Sequence, residues 1–286
     1  MKMRFIIGAF SCFIFATQVF TQIKLPFIVA QQKEYYNEIA TIAKAGYTGC
    51  KIYHHEIADG KVVPEKYLDR IIKYHPDGRI KEIEFKTPEG SVESVDIYYY
   101  FPNKLPKSIT TFSINGQELH KEVYRYANSG HLSELVEYDT YGYILSKIVV
   151  TTDSLQNKVC AAKYISPDEI EWKNCYYFSG LSTGRLYARE DYAGKDDFMN
   201  KRIIAWENNK MISETVYLAD SSVAYRLTYE YNNAGDNSVV YVTEPSKKPI
   251  EIIRYNYNPL HLVIGTLESD FNGQIKKMIK KQSKKK

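Results

Sequence analysis

The pattern closest to catalysis is Gly180-Leu-Ser182-Thr-Gly184, the G-x-S-x-G spacing of a hydrolase nucleophile elbow. His261 and acidic residues follow it, in the chain order of a Ser, Asp, His triad, which makes Ser182 the nucleophile of a serine-hydrolase reading. The elbow works only on a strand–turn–helix, and no helical periodicity follows Gly184. His54-His55-Glu56 puts His54 and Glu56 on one face of a strand, but no third ligand stands at a metal-site spacing. Glu190, Asp191, Asp196 and Asp197 surround Gly194 without the ligand order of a calcium loop. These patterns lead to a protein with no catalytic residues, no metal and no cofactor. Cys160 and Cys175 flank Pro167-Asp168 almost symmetrically, so a hairpin turning there sets them opposite or diagonal on one face. An exported chain can oxidise such a pair, and a cross-strand disulfide is expected. The alternative is two small buried residues, and Cys50 is left as a buried thiol.

The elements that carry these residues are repeats. Aromatic or apolar pairs with one residue between them end at Tyr74, Tyr100, Tyr126, Phe178, Trp206, Tyr231 and Tyr257, in steps near 26 residues or twice that. Val150-x-Thr152 fills the double step. A second marker, Gly90, Gly116, Gly142, Asp168 and Gly194, keeps the same 26-residue period, sixteen residues behind the first. Turn tetrads follow each marker, among them His75-Pro-Asp-Gly78, Asn232-Asn-Ala-Gly235 and Thr87-Pro-Glu-Gly90. Pro presets φ, and Asn, Asp and Gly accept left-handed backbone, so these are turns with a mechanism. Between them, stretches such as Arg226-Leu-Thr-Tyr-Glu-Tyr231 alternate with period two, which is strand. Gly180 to Gly184 falls on the turn after Phe178, in phase with the repeat.

The expected fold is all-β: a long, curved antiparallel meander of about eight hairpin repeats and about sixteen strands, with a short N-terminal helix. Tyr36, Ile39, Ile42 and Ala43 have helical spacing, Gly46 suits its stop, and the helix would cap the first edge.

The chain begins with a basic Met1-Lys-Met-Arg4, a twelve-residue apolar run from Phe5 to Ala16, and a polar stretch to Gln22. That order is a secretory signal, too short to span a bilayer, with cleavage after Thr21 or after Ala30. No later run is long enough to span as a helix. Seven of the last eleven residues are lysine, and with Lys2 and Arg4 they hold nine of the cations behind the net charge of +4, which leaves the body at −5. An acidic body with a basic end is not a nucleic-acid-binding footprint. The expected divisions are 1–21 signal, 22–50 N-terminal segment with the capping helix, 51–281 repeat domain and 282–286 basic tail.

Tyr138-Asp-Thr-Tyr-Gly142-Tyr-Ile144 resembles the Tyr-Asp-x-x-Gly-x-aliphatic core of YD (RHS-type) repeats, with looser copies at Phe112 to Gly116 and Asp270 to Gly273. The chain is similar to short exported YD-like proteins of Gram-negative bacteria, and more loosely to MORN-like repeats. In large YD proteins the resemblance implies a spiralling sheet around a toxin; this chain has too few repeats for such a shell. The expectation is an exported, non-catalytic protein of the periplasm, cell surface or extracellular space. It would bind a glycan or an envelope protein through Tyr74, Tyr100, Tyr126, Trp206, Tyr231 and Tyr257, since such rings stack on sugars or anchor protein contacts. The alternative is a scaffold that accepts a partner by strand addition at a free edge.

Overall fold

The computed structural model describes residues 29–180, 184–245 and 249–285, with side chains from residue 35 onward. The segment read as a signal, 1–21, lies outside the described residues, as does Ser182. Helix α1 (Val29–Lys44) is followed by eighteen strands in one sheet. They are β1 (Tyr47–Ala58), β2 (Lys61–Tyr74), β3 (Ile80–Lys86), β4 (Val92–Tyr100), β5 (Pro106–Ser113), β6 (Glu118–Tyr126), β7 (Leu132–Asp139), β8 (Ile144–Asp153) and β9 (Lys158–Ser166). The second half comprises β10 (Glu169–Phe178), β11 (Leu186–Ala193), β12 (Asp197–Glu207), β13 (Lys210–Leu218), β14 (Val223–Tyr231), β15 (Asn237–Thr243), β16 (Pro249–Tyr257), β17 (Val263–Asp270) and β18 (Ile275–Lys285).

Local turn chemistry sets the meander. Ten hairpin turns share one geometry, exemplified by 139–143: the Asp139 N–H donates to the Tyr143 carbonyl, and the Gly142 N–H donates back to the Asp139 carbonyl. The fourth residue of each such turn has positive φ, +84° at Gly142. This is a type I turn closed by a left-handed residue, a common three-residue hairpin loop. It explains the glycine period, and also its exceptions, because Lys104, Ser221 and His261 occupy the same position at φ 69°, 65° and 60°. Between β12 and β13 the loop shortens to Asn208-Asn209, both left-handed.

The sheet does not stay open. β1 pairs with β2 and also with β18, with Cys50 opposite Ser283 and His54 opposite Ile279. Every strand thereby has two neighbours, and the expected curved meander is a closed antiparallel barrel. An open sheet would leave two rows of unpaired backbone N–H and C=O groups, which closure removes. Three expectations change with it. The basic tail is largely strand, because β18 takes in Gln282 to Lys285. Strand addition loses its basis, since no edge is free among the described strands. The helix caps no edge, and lies instead against one rim.

Register divides the barrel into two faces. Ile52, Ile72, Ile83, Tyr98, Tyr124, Val150, Phe178, Ile204, Leu227 and Ile253 share one face and are all buried. This is the inner face. The opposite face carries ion pairs: Lys73, near the end of β2, with Glu82 and Glu84, each at 2.6 Å, and mid-strand Lys201 with Glu190 at 3.2 Å. The inner-face side chains cover one another and form the interior of the barrel.

Candidate functional site

The sixteen-residue offset has a spatial meaning in the closed barrel. All the aromatic anchors end strands at one rim, and their side chains ring the inner face there. The opposite half of the same face is polar.

Each anchor is fixed by its neighbours. The Tyr100 hydroxyl donates to the Ile80 carbonyl at 2.7 Å, Trp206 Nε1 to the Leu186 carbonyl at 2.7 Å, and the Tyr231 hydroxyl to the Met211 carbonyl at 2.8 Å. In all three the acceptor lies 20 residues upstream, beside the preceding strand's bulge. Tyr74 is half-buried, with its hydroxyl 3.6 Å from Cys50 Sγ. Burial raises the Tyr74 and Tyr100 hydroxyls well above the ordinary phenol range.

Helix α1 covers part of this ring. Tyr35 and Ile39 pack with Leu105 and Tyr126, and the Tyr35 and Tyr36 hydroxyls donate to the Lys104 and Asn103 carbonyls at 3.0 and 2.9 Å. Gly78 lets the helix approach, because a Cβ there would lie 2.0 Å from the Ile39 carbonyl oxygen. Tyr126 sits under α1, with Phe101 edge-on at 6.0 Å and no hydrogen-bond partner for its hydroxyl. Across the ring, Trp206 is 36% exposed, and Tyr231 and Tyr257 are half-buried. The Tyr257 hydroxyl is pushed up to about 12, by burial first and then by Asp236 and Tyr231. The six anchors therefore differ: Tyr126 packs beneath the helix, Tyr74 and Tyr100 lie half-buried against the neighbouring core cluster, Tyr231 and Tyr257 are half-buried, and Trp206 is exposed.

The polar half of the interior was not singled out from sequence. Arg202 and Glu214 pair at 2.9 Å with side chains 5% and 1% exposed, and Asp191 lies 3.4 Å from Arg202 and also contacts Arg189. On the other wall three carboxylates are held by hydroxyls: Asp96 accepts from Thr111 at 2.7 Å, Glu137 from Ser146 at 2.7 Å, and Glu122 from Tyr124. Parity held the signal, since Arg202 is two residues before inward Ile204 and therefore shares its face. The acidic sequence cluster is split by the same parity. Asp191 points inward, whereas Glu190 on the outer face accepts from Tyr192 at 3.0 Å and from Lys201.

The remaining motifs take ordinary places. Gly180 and Gly184 bound a turn, closed by the Gly184 N–H on the Gly180 carbonyl at 3.2 Å, and strand β11 follows in place of a helix. His261 occupies a left-handed turn position and pairs with Asp236 at 3.0 Å. His54 approaches Asp69 at 3.7 Å, and burial lowers its pKa. Among the described residues no three ligand-type side chains converge on a metal-sized space. Cys160 and Cys175 are directly opposed on β9 and β10, on the outer face, joined as a disulfide with Cα atoms 4.1 Å apart.

No family model matches the chain, and no curated protein does. Among solved structures, a porin-like protein from Bacteroides uniformis ATCC 8492 aligns over 84% of this chain and 97% of its own, at 10% identity and a TM-score of 0.32. A porin-like protein from Bacteroides vulgatus ATCC 8482 aligns over 83% and 98%, at 10% identity and a TM-score of 0.32. The TcdB2-TccC3 structure lacking its hypervariable C-terminal region aligns over 81% of this chain and 16% of its own, at 8% identity and a TM-score of 0.22. At these scores the likenesses carry no argument about what this chain does.

Proposed function

We propose that the chain is an exported, non-catalytic barrel of the bacterial envelope that binds a glycan at the open part of its aromatic rim. The observation that carries this is the division of the ring: α1 occupies one arc, while Trp206, Tyr231 and Tyr257 keep partly exposed ring surface on another. Aromatic faces of this kind stack on sugar rings. The apolar start of the chain and the YD-like heptad at Tyr138 support export within the same reading.

The outer face supports a water-surrounded barrel over a lipid-embedded one. A membrane barrel shows lipid an apolar band, and Lys or Arg at its middle costs about 2–4 kcal/mol each. Here Lys147 and Lys201 stand within their strands on that face, each with an acidic partner beside it.

Binding of the full chain to an oligosaccharide array, followed by titration of any hit, tests the proposal. Trp206→Ala and Tyr257→Ala should each weaken a genuine hit about tenfold or more. An array without a hit, or a hit that ignores both substitutions, would overturn the reading.

A further inference from the structure

The seam where β18 meets β1 has a feature that the aromatic rim does not explain. The pairing is irregular between Tyr47 and Gly49, leaving Thr48 out of register, and Gly49 adds no side chain. The irregularity borders a cavity of about 610 Å³, within the range of small-molecule sites. Of its apolar lining residues, Ile71 shares the outer face with Lys51, Lys73 and Lys284, whereas Ile72 and Tyr74 point to the inner face. Its polar lining holds four lysines and no acidic residue.

The lysines are not equivalent. Lys73 is held by Glu82 and Glu84 at 2.6 Å each. Lys51, Lys81 and Lys284 are exposed and have no ion pair among the described residues. Three like charges around one concavity repel each other, and a multivalent anion relieves that repulsion. Ammonium groups serve phosphate as point charges.

We propose that this seam cavity binds a phosphate-bearing ligand, with Lys51, Lys81 and Lys284 supplying the charge. A free phosphorylated molecule and a lipid headgroup share this chemistry, and the two probes below distinguish them. The site uses none of Trp206, Tyr231 and Tyr257, on which the glycan reading rests, so its failure leaves that reading untouched.

Calorimetric titration of the full chain with pyrophosphate, and co-sedimentation with phosphatidylglycerol vesicles, test it at low and at physiological salt. At least one probe should bind, weaken as salt rises, and lose tenfold or more in affinity in Lys51→Glu/Lys284→Glu. Pyrophosphate binding alone assigns a soluble ligand, and vesicle binding alone a headgroup. If the double variant does not fold, Lys81→Gln in an otherwise intact barrel should still weaken binding. Binding of neither probe, or binding indifferent to salt and to the lysine substitutions, overturns the proposal.

Discussion

The Tyr231 hydroxyl donates to the Met211 carbonyl at 2.8 Å, twenty residues upstream. Tyr100 and Trp206 make the same step to Ile80 and Leu186. The repeat's aromatic anchor is thus also a fastener, closing a carbonyl that the neighbouring bulge leaves without a ladder partner. A ring held at its polar end cannot turn freely, and its face is pre-set for whatever meets the rim.

Tyr231→Phe keeps the ring and removes the donor. It should cost about 0.5–1.5 kcal/mol of stability, read as a lower midpoint in urea, while glycan affinity stays near wild type. Tyr231→Ala should lose both. Equal stability of the Phe variant and the wild type would show that the shared hydrogen bond contributes nothing.

The Cys160–Cys175 disulfide closes a loop with a sequence separation of 15. Chain-entropy reasoning gives about 3 kcal/mol for a loop of that size. Reduction, or the Cys160→Ala/Cys175→Ala variant, should lower stability by about 2–3 kcal/mol without changing the far-ultraviolet β-signal. Free thiols at both Cys160 and Cys175 in the oxidised, purified protein would contradict the bond itself.

Arg202 and Glu214 are nearly sealed from water, at 5% and 1% side-chain exposure. Removing one partner strands the other, so Glu214→Gln or Arg202→Met should each cost about 3–5 kcal/mol. Arg202→Met/Glu214→Leu should recover most of that loss. A double variant as unstable as the sum of the singles would mean that the two charges are not energetically coupled.

Burial raises the Asp96 carboxyl above its ordinary range, with Glu122 adding to the rise and the Thr111 hydrogen bond opposing it. Burial raises Glu268 likewise. A raised carboxyl binds its proton more tightly when folded. Its stability contribution is present below the ordinary carboxylate values and is lost as pH climbs through the raised ones. Melting temperature should therefore fall less between about pH 4 and pH 7 in Asp96→Asn than in the wild type. Parallel curves for the two proteins would refute the assignment.

Much of the fold is legible in order. The positive-φ positions at Gly90, Gly116, Gly142 and Gly273 are local demands of one turn type, and a local demand is written at the residue that meets it. Period-two alternation likewise marks strands such as Arg226 to Tyr231 without reference to the rest of the chain. The helix stop at Gly46, φ +67°, is of the same kind. The candidate site was legible only as a set of anchors. Their spacing identified Tyr74 to Tyr257 as equivalent, but could not tell Tyr126 beneath α1 from Trp206 at the open rim, because α1 docks across 60 residues and more of intervening chain.

The sequence by itself determined the unit: a 26-residue hairpin, its turn chemistry and the phase that assigns Gly180 to Gly184 to a turn. Tertiary structure alone decided that the sheet closes, since the pairing of His54 with Ile279 joins strands at opposite ends of the chain and no local pattern encodes it. It also decided which face turns inward. Alternation says that a strand has two faces, and here both carry tyrosines and charges, so only curvature around the interior tells Asp191 from Glu190. The lysines of β18 changed most: a frayed basic end in sequence became the strand that seals the barrel, because pairing both of its edges satisfies the backbone groups that an open sheet would leave bare.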